Sequence, residues 1–478
     1  MLNLSALLLD LLLITSMSLT GWFVVGFIHP SIGRLTRLSL SFLVGAGISS
    51  WTLFILGWLG YPIRLLWVIA WHLVLLIISA FLDRQKTLRG RNLVASAVDQ
   101  KHPRAGLYPI SIGLVFGIIT IYLGYISVGR SYSIFDALSM WAPKGYGIAL
   151  EGSLWGAISW GNHKLAYPLH VQLLIMQFRL ISGDMLPGSK LIFTLFFVSY
   201  LMFTYDFLRR RGLNRLFSMA VTLFLASTPL FVIHATIGFA NLAMAVYLTT
   251  GLVTLLDGVM EGNKAAQVLG SLLLGFTIWT IIEGVLFVIA GLAALVGGML
   301  IIRRVQISWV SMLGPMLVVG GAWIMFYFLF AAGDSQASNA FSSMWASLKE
   351  GQIDIPVIRL ILGYARRNIF DISTWGYLFP IGLVVGILAI KQLLPNRNPY
   401  TFTLILMLFS IGALSLGLFY LRSFEIEGLY DLLKRGFPRG FISPAMLLGP
   451  IIGVLLQALS TKSVVKFDKV KTSLEESP

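Results

Sequence analysis

The 478-residue sequence contains no cysteine, which excludes disulfide bonds and thiolate metal sites. Charged residues are scarce as well: they make up 12% of the chain, against about 25% in a typical soluble domain. Hydrophobic residues reach 57%, and apolar runs of spanning length recur from the first residues to Leu459. Because one soluble core could not absorb so many apolar runs, the composition predicts an all-α, polytopic membrane protein.

Thirteen apolar segments have the length that crosses the hydrocarbon core as a helix, about 20 residues. The first is too long for the apolar part of a signal peptide and lacks a basic start, so we expect it to be retained as a span. The predicted spans are 4–28, 39–60, 63–82, 108–128, 189–208, 213–232, 241–257, 264–280, 284–302, 307–331, 373–391, 400–421 and 440–460.

The formal net charge of +15 has an explanation other than nucleic-acid binding. Lysine and arginine collect in short connecting loops and in the tail, which is the positive-inside pattern of membrane proteins. No nucleic-acid partner is therefore expected. The clusters that we place on the cytoplasmic side are Arg84 to Arg104, Arg209 to Arg211, Arg303 with Arg304, Lys391 with Arg397, and Lys462 to Lys471.

This orientation places three long loops, 129–188, 332–372 and 422–439, on the outer side of the membrane. It requires that the segment 168–182 does not cross. His170, Gln172, Gln177 and Arg179 make this segment a poor span in any case. We expect a helix that lies along the outer interface and begins at Pro168. Long loops on one face of a rigid helical base are where a site is most readily built.

The first outer loop contains the stretch SIFDALSMWAPK, which places an acid, a tryptophan and a lysine just beyond the fourth span. Asp136, held in a partly dry site, suits a general base; the alternative is a helix cap. Trp141 offers a stacking surface for a sugar ring, or an interfacial anchor. Lys144 suits a phosphate or Asp136 as its partner, or is an ordinary exposed lysine.

Further polar candidates follow at the other turns predicted to face outward. Tyr167 precedes Pro168 and should be extended; His170 suits a phosphate, a metal or an interfacial hydrogen bond. His234 and Asn241 flank a turn, where a satisfied histidine and a helix cap are the plainer interpretation. Glu283 is the one charge in the run 271–302, so it is either a site residue or a cap of the next helix.

Three basic residues, Lys434, Arg435 and Arg439, lie in the last outer loop. Positive charge on this side opposes the topological bias, so it indicates a local anionic partner. A phosphate group is the natural choice. The alternative is a solvated basic loop in contact with lipid headgroups.

Taken together, these segments resemble the GT-C class of polytopic glycosyltransferases over roughly residues 110–460. The landmarks are an acid in the first outer loop (Asp136), a Tyr-Pro-Leu step at 167–169, and a Pro-Leu-Phe segment with a Gly-aromatic-Ala step before Asn241. A Trp-Thr turn before Glu283 follows, and then Arg439 ahead of Pro444. On this resemblance, residues 1–107 are three extra helices with a basic cytoplasmic loop, 108–460 the GT-C-like catalytic domain, and 461–478 a basic cytoplasmic tail.

The resemblance implies transfer of a sugar, with inversion, from a polyprenyl-phosphate donor on the extracytoplasmic face. The acceptor would be a glycan, lipid or protein, and the location a bacterial cytoplasmic membrane. Asp136 would be the general base. The implied substrate-binding residues are Trp141, Lys144, Tyr167, His170, His234, Asn241, Glu283, Lys434, Arg435 and Arg439. A divalent cation would be compatible, although no cluster of ligands requires one, and membrane lipids are expected partners.

Two departures from the family pattern keep a second interpretation open. Asn241 stands where the family has a second acid, and Ile281 stands where it has a lysine. The chain could therefore be a catalytically degenerate relative that binds lipid or glycan, or a scaffold subunit. A lipid-linked polysaccharide polymerase or ligase is a nearer alternative. A transporter is disfavoured, because Asp10 is the one obvious mid-span charge and the two halves show no repeat.

Overall fold

The computed structural model describes residues 4–94, 108–130, 132, 136–160, 167–183, 188–302, 307–330, 346, 354–392, 394, 398–423 and 428–475, excluding the side chains of 87–94, 108–110 and 461–475. The described residues form helices and contain no strand, so the all-α prediction is confirmed. Arg303, Arg304, Arg397 and most of the predicted loop 332–372 before Asp354 lie outside the described residues.

The helices are numbered here in chain order. They are α1 Leu4–Ile28, α2 Arg34–Trp58, α3 Leu65–Val94, α4 Tyr108–Gly129, α5 Ala142–Glu151, α6 Gly156–Ser159, α7 His170–Ser182, α8 Leu191–Arg210, α9 Arg215–Ala226, α10 Pro229–Ile237, α11 Ala240–Met260, α12 Lys264–Thr280, α13 Glu283–Ile302, α14 Trp309–Phe330, α15 Ile355–Asn368, α16 Ile372–Trp375, α17 Leu378–Leu388, α18 Pro399–Arg422, α19 Leu429–Gly440 and α20 Ile442–Glu475.

Within the described residues, ten helices are long and apolar enough to cross a membrane, or eleven if α9 and α10 form one broken span. The chain is therefore an integral, multi-pass membrane protein, but the predicted number of thirteen spans is not confirmed. Two predicted spans differ in form. The segment 213–232 is divided into α9 and α10, which meet at a bend of 61°. The segment 373–391 contains α17, a helix of 11 residues, which is about 16 Å long.

The helices divide into two compact units. Unit 1 comprises Met1–Phe203, Phe231–Val288 and Ile307–Ser342; unit 2 comprises Thr204–Leu230, Ile289–Gln306 and Ser343–Pro478. The predicted division at residues 107 and 460 follows the family resemblance rather than this packing, and it stays a prediction.

Unit 1 depends on glycines where helices α1 and α2 touch. A Cβ at Gly21 would lie 1.8 Å from the carbonyl oxygen of Ser41, and a Cβ at Gly45 would lie 1.8 Å from that of Met17. Small residues of this kind allow membrane helices to approach each other closely. The same unit buries α11 completely over its most apolar window, so α11 is a core helix rather than a lipid-facing one.

Polar contacts join three helix ends of unit 1 that the predicted topology places on one side of the membrane. The Arg37 side chain donates to Asp83 Oδ2 at 2.9 Å and to the carbonyl oxygen of Trp22 at 2.8 Å. Lys86 donates to the carbonyl oxygens of Phe27 and Ile28. These bonds connect the end of α1, the start of α2 and the last part of α3.

In unit 2, the amphipathic helix α19 packs against its neighbours through one aromatic side chain, that of Phe437. Phe437 is fully buried, and its ring stacks on those of Phe419 and Phe441, with centroids 5.9 and 4.4 Å away. Tyr364 of α15 meets the same ring at 5.5 Å. The opposite face of α19 exposes its basic residues, so a short helix holds the cations that the sequence singled out.

Replacing Gly45 with alanine should destabilise the protein by about 1–3 kcal/mol or more, because the added methyl overlaps backbone atoms that cannot move aside alone. Gly113→Ala in α4 is the matched control, since a Cβ there meets nothing within 4 Å. Thermal unfolding of the two purified variants in detergent measures the difference. Equal melting temperatures would contradict the close α1–α2 contact.

Candidate functional site

The predicted first outer loop folds into short helices. Immediately after Asp136 the chain makes a single π-helical turn, Ala137–Trp141, and continues as α5 with a proline in its first turn. Gly152, with φ of +64°, ends α5, because a left-handed residue terminates a helix at low cost when it is glycine. Gly147 and Gly156 then let the backbones of α5 and α6 touch.

Asp136 occupies the N-cap position of the π-helical turn, but its side chain makes no capping hydrogen bond. No capping hydrogen bond therefore supports the alternative of a helix cap, although the position at the start of a helix is one that an acid favours. The side chain is half-buried. A role as general base stays a prediction.

The structure brings two of the predicted aromatic residues together. The rings of Trp141 and Tyr167 meet edge to face, with centroids 5.9 Å apart. Trp141 is 3% exposed, so it is a buried residue rather than an anchor at the surface. Tyr167 is half-buried and stands just before α7, so the contact joins the segment after Asp136 to the start of that helix.

Lys144 lies on α5, one turn beyond Trp141, and is fully buried. The interpretation as an exposed lysine is therefore wrong. Burial lowers the pKa of its ammonium group to about 8, because removal from water penalises the charged form. A buried amine of this kind strongly favours an anionic neighbour.

The helix expected at 168–182 is present as α7, but it begins at His170 rather than at Pro168, and its residues 170–178 are buried; its placement along the outer interface stays a prediction. His170 lies 2.6 Å through Nδ1 from Ser50 Oγ, and Trp279 Nε1 donates to the same hydroxyl. Burial lowers the pKa of His170 to about 3, so its imidazole is neutral, and its Nε2 has no hydrogen-bond partner among the described residues. A role of His170 towards substrate stays a prediction.

A second buried network fixes the other end of α7. Gln177 Oε1 lies 2.8 Å from Ser49 Oγ and 2.7 Å from His72 Nε2. Because Gln177 presents an acceptor, His72 carries its proton on Nε2, and its Nδ1 accepts from Ser16 at 2.9 Å. Helices α1, α2, α3 and α7 are thus joined by one chain of hydrogen bonds.

His234 and Asn241 lie on either side of the turn between α10 and α11, in unit 1. The His234 ring is buried and stacks on Phe239, with centroids 4.4 Å apart. The N-cap of α11 is Phe239, without a side-chain capping bond, so the predicted cap at Asn241 is wrong. Gly238 makes the turn with φ of +90°, a conformation that favours glycine.

Glu283 is the first residue of α13, and the predicted turn before it is confirmed, since α12 ends at Thr280. A carboxylate in the first turn is stabilised by the helix dipole. The structure therefore supports the alternative that Glu283 stabilises the start of α13, and a role towards substrate stays a prediction.

The three basic candidates of the last outer loop lie on α19 in unit 2. Lys434 and Arg435 are exposed, and Arg439 is half-exposed. They share a helix face opposite the buried Leu433 and Phe437. Their predicted role as phosphate ligands stays a prediction.

Sequence reasoning did not single out Lys190, and it named Asp10 and Gln172 without predicting that they are buried. Lys190 is fully buried and donates to the carbonyl oxygen of Arg130; burial and the charge of Arg130 lower its pKa to about 8. Asp10 is also fully buried, and its carboxylate packs against Gly188. Gln172 is buried inside unit 1. A polar residue within an otherwise apolar helix was the signal available for Asp10 and Gln172.

An apolar cavity of about 330 Å³ lies between α2 and α3. Its wall at Ile63 is joined to the end of α5, because the backbone N–H of Ile63 donates to the carbonyl oxygen of Gly152 at 2.7 Å. The described residues contain no group of three or more histidines and acids that could hold a metal ion. The lining side chains of the cavity are Leu53, Leu56, Tyr61, Pro62, Ile63, Trp67, Val68, Ala70, Trp71 and Val74.

Comparison with known proteins finds no matching family model and no matching curated protein. The fold is similar to ArnT from Cupriavidus metallidurans in the apo state, with 14% identity and a TM-score of 0.49, over 75% of this chain and 62% of that chain. It is also similar to ArnT from Cupriavidus metallidurans bound to undecaprenyl phosphate, with 12% identity and a TM-score of 0.36, over 72% of this chain and 77% of that chain. Similarity at this level concerns the arrangement of helices and not the chemistry.

Lys144→Met should change how the stability of the protein depends on pH, because the buried amine of the wild type has a pKa of about 8 when folded and near 10.5 when unfolded. Between pH 8 and 10.5 the unfolded wild type binds more protons than the folded one, so wild-type stability rises with pH. The variant lacks this group, so its stability relative to that of the wild type should fall over that interval.

Melting temperatures of wild type and Lys144→Met, measured from pH 7 to 10.5, provide the check. Lys434→Met is the control, because Lys434 is exposed and its removal should change little at any pH. A stability difference for Lys144→Met that does not vary with pH would contradict the lowered pKa of the buried amine.

Proposed function

We propose that the chain is a membrane glycosyltransferase that moves a sugar from a polyprenyl-phosphate donor to an acceptor on the extracytoplasmic face. The observation that carries the proposal is the contact of Trp141 with Tyr167. This contact joins the segment that contains the half-buried Asp136 and the buried Lys144 to the residue just before α7. These are the groups that proton abstraction, sugar stacking and phosphate binding each need.

The lipid-linked nature of the donor follows from the location that the sequence predicts. Nucleotide sugars are not available outside the cytoplasmic membrane, so a donor for that face must arrive within the bilayer. A polyprenyl phosphate meets this need, because its tail lies among apolar helices and its phosphate lies at the interface. The apolar cavity between α2 and α3 suits a segment of such a hydrocarbon chain.

In the proposed reaction, Asp136 takes the proton from an acceptor hydroxyl as its oxygen attacks the anomeric carbon. A new glycosidic bond forms, the bond between that carbon and the phosphate oxygen breaks, and its electron pair leaves with the phosphate. The configuration at the anomeric carbon is inverted. Cations stabilise the charge that develops on the departing phosphate, and Lys144 is the buried cation nearest in sequence to Asp136.

A second candidate function is a catalytically inactive relative that binds lipid-linked glycan. Ile281 favours it, because the side chain at this landmark position is 3% exposed. A lysine there in the family pattern would offer a charge, whereas this chain offers a core residue. Asn241, half-buried in the first turn of α11, can hydrogen-bond but cannot act as a base.

Asp136→Asn should lower sugar transfer by about 10²–10⁴-fold, which is the range for loss of a general base, while donor binding is retained. Glu151→Gln is the matched control, because Glu151 is the last residue of the nearby helix α5 and is exposed. The assay measures transfer from radiolabelled polyprenyl-phosphate hexoses by the purified proteins. Wild-type transfer rates in Asp136→Asn would contradict the role of Asp136; binding without transfer by the wild type would support the inactive relative.

A further inference from the structure

Several buried polar groups in unit 1 have no hydrogen-bond partner among the described residues, and two of them, on Gln172 and Trp141, lie where α5 and α7 meet. Gln172 on α7 is fully buried, and both its amide oxygen and its amide nitrogen lack a partner. Trp141 is 3% exposed, and its Nε1 likewise lacks one. Buried polar groups without partners are costly and rare, so their presence needs a reason.

Both groups belong to the surfaces by which α5 and α7 face each other. A Cβ at Gly145 would lie 2.7 Å from the carbonyl oxygen of Gln172 and 3.1 Å from Ile175 Cγ2. Gln172 precedes Ile175 by three residues, and Trp141 precedes Gly145 by four, so each shares a helix face with the residue at the contact. We name this contact region, from Trp141 to Gly145 and from Tyr167 to Ile175, the α5–α7 seam.

Gln177 shows that α7 does not leave glutamines unpaired in general. It is also fully buried, yet its amide oxygen accepts from Ser49 and His72, and its amide nitrogen donates to the carbonyl oxygen of Leu173 at 3.0 Å. Gln172 is one and a half turns away on the same helix with neither atom paired. His170 Nε2 is likewise buried without a partner among the described residues, so the unpaired groups of α7 lie in its first turn and not throughout the helix.

We infer that the α5–α7 seam binds hydroxyl groups of the transferred sugar, and that Gln172 is its specificity-determining residue. This inference rests on the proposed function. A primary amide both donates and accepts, which matches a pair of neighbouring sugar hydroxyls, and the indole N–H of Trp141 supplies one more donor. A site built to hydrogen-bond a hydroxyl rejects a ligand that lacks it, because its own buried groups stay unpaired.

The stability of the unliganded protein gives the first test. Gln172→Met replaces an unpaired amide with an apolar side chain of similar size, so its melting temperature should equal or exceed that of the wild type. Gln177→Met is the matched control; it removes three hydrogen bonds and should lower the melting temperature. A fall in Gln172→Met as large as that in Gln177→Met, or failure to fold, would overturn the inference, because the amide would then be part of the folded structure's own bonding.

Ligand binding gives the second test, with a polyprenyl-phosphate hexose and the same polyprenyl phosphate without sugar as probes. In Gln172→Met the affinity for the hexose lipid should fall by about tenfold or more, since one good polar contact is worth that much. The affinity for the sugar-free lipid should not change. Equal hexose-lipid affinities in wild type and variant would overturn the inference alone, whereas a wild type that binds neither lipid would contradict the proposed function and the seam's ligand with it.

Discussion

The burial of polar side chains in α7 is the constraint on which the rest of unit 1 depends. An apolar helix bundle offers no water to hydrogen-bond to, so each buried polar group needs a protein partner or carries a cost. Gln177 meets this need through Ser49 and His72; His170 bonds through Nδ1 to Ser50, whose hydroxyl also accepts from Trp279, while its Nε2 has no partner among the described residues. These bonds hold α7 against α2, α3 and α12. A short helix that cannot span the membrane thereby becomes a fixed internal element.

A fixed α7 gives the preceding segment something rigid to pack against. The π-helical turn after Asp136 and helix α5 lie against it through Trp141, Tyr167 and Gly145. Rigid support of this kind holds reacting groups in productive geometry. The cost appears in the same place, since Gln172 is buried and unpaired among the described residues. Local departures from good bonding are expected where a structure is shaped for a ligand.

Length and hydropathy were enough to predict the membrane helices whose signals are strong. α1 and α12 have the predicted bounds, and the turn before Glu283 lies where the lone charge indicated. Pro229 is the local signal for the 61° bend between α9 and α10, because a proline bends or ends a helix, whereas hydropathy alone does not show the bend. Nor could it show that α11 is enclosed by protein, since a buried helix and a lipid-facing helix are equally apolar.

The candidate site was less predictable, because burial and pairing depend on contacts distant in sequence. The segment of Asp136, Trp141, Lys144 and Tyr167 was selected from residue types alone, and the structure places Trp141 against Tyr167. The burial of Lys144 and the hydrogen bond of His170 with Ser50, a residue of α2, had no local signal. Gln172 and Gln177 are the same residue type in one helix, and only their three-dimensional surroundings separate them.

The central claim is that the described residues 136–160 and 167–182 receive a lipid-linked sugar. Its most direct test is photo-crosslinking in membranes with a polyprenyl-phosphate hexose that bears a diazirine on the sugar, followed by mapping of the labelled peptides. We expect labels between Asp136 and Lys144 and between Tyr167 and Ile175, and these labels should disappear when unlabelled donor is added in excess. Labels confined to other parts of the chain, or labels that excess donor does not displace, would contradict the account.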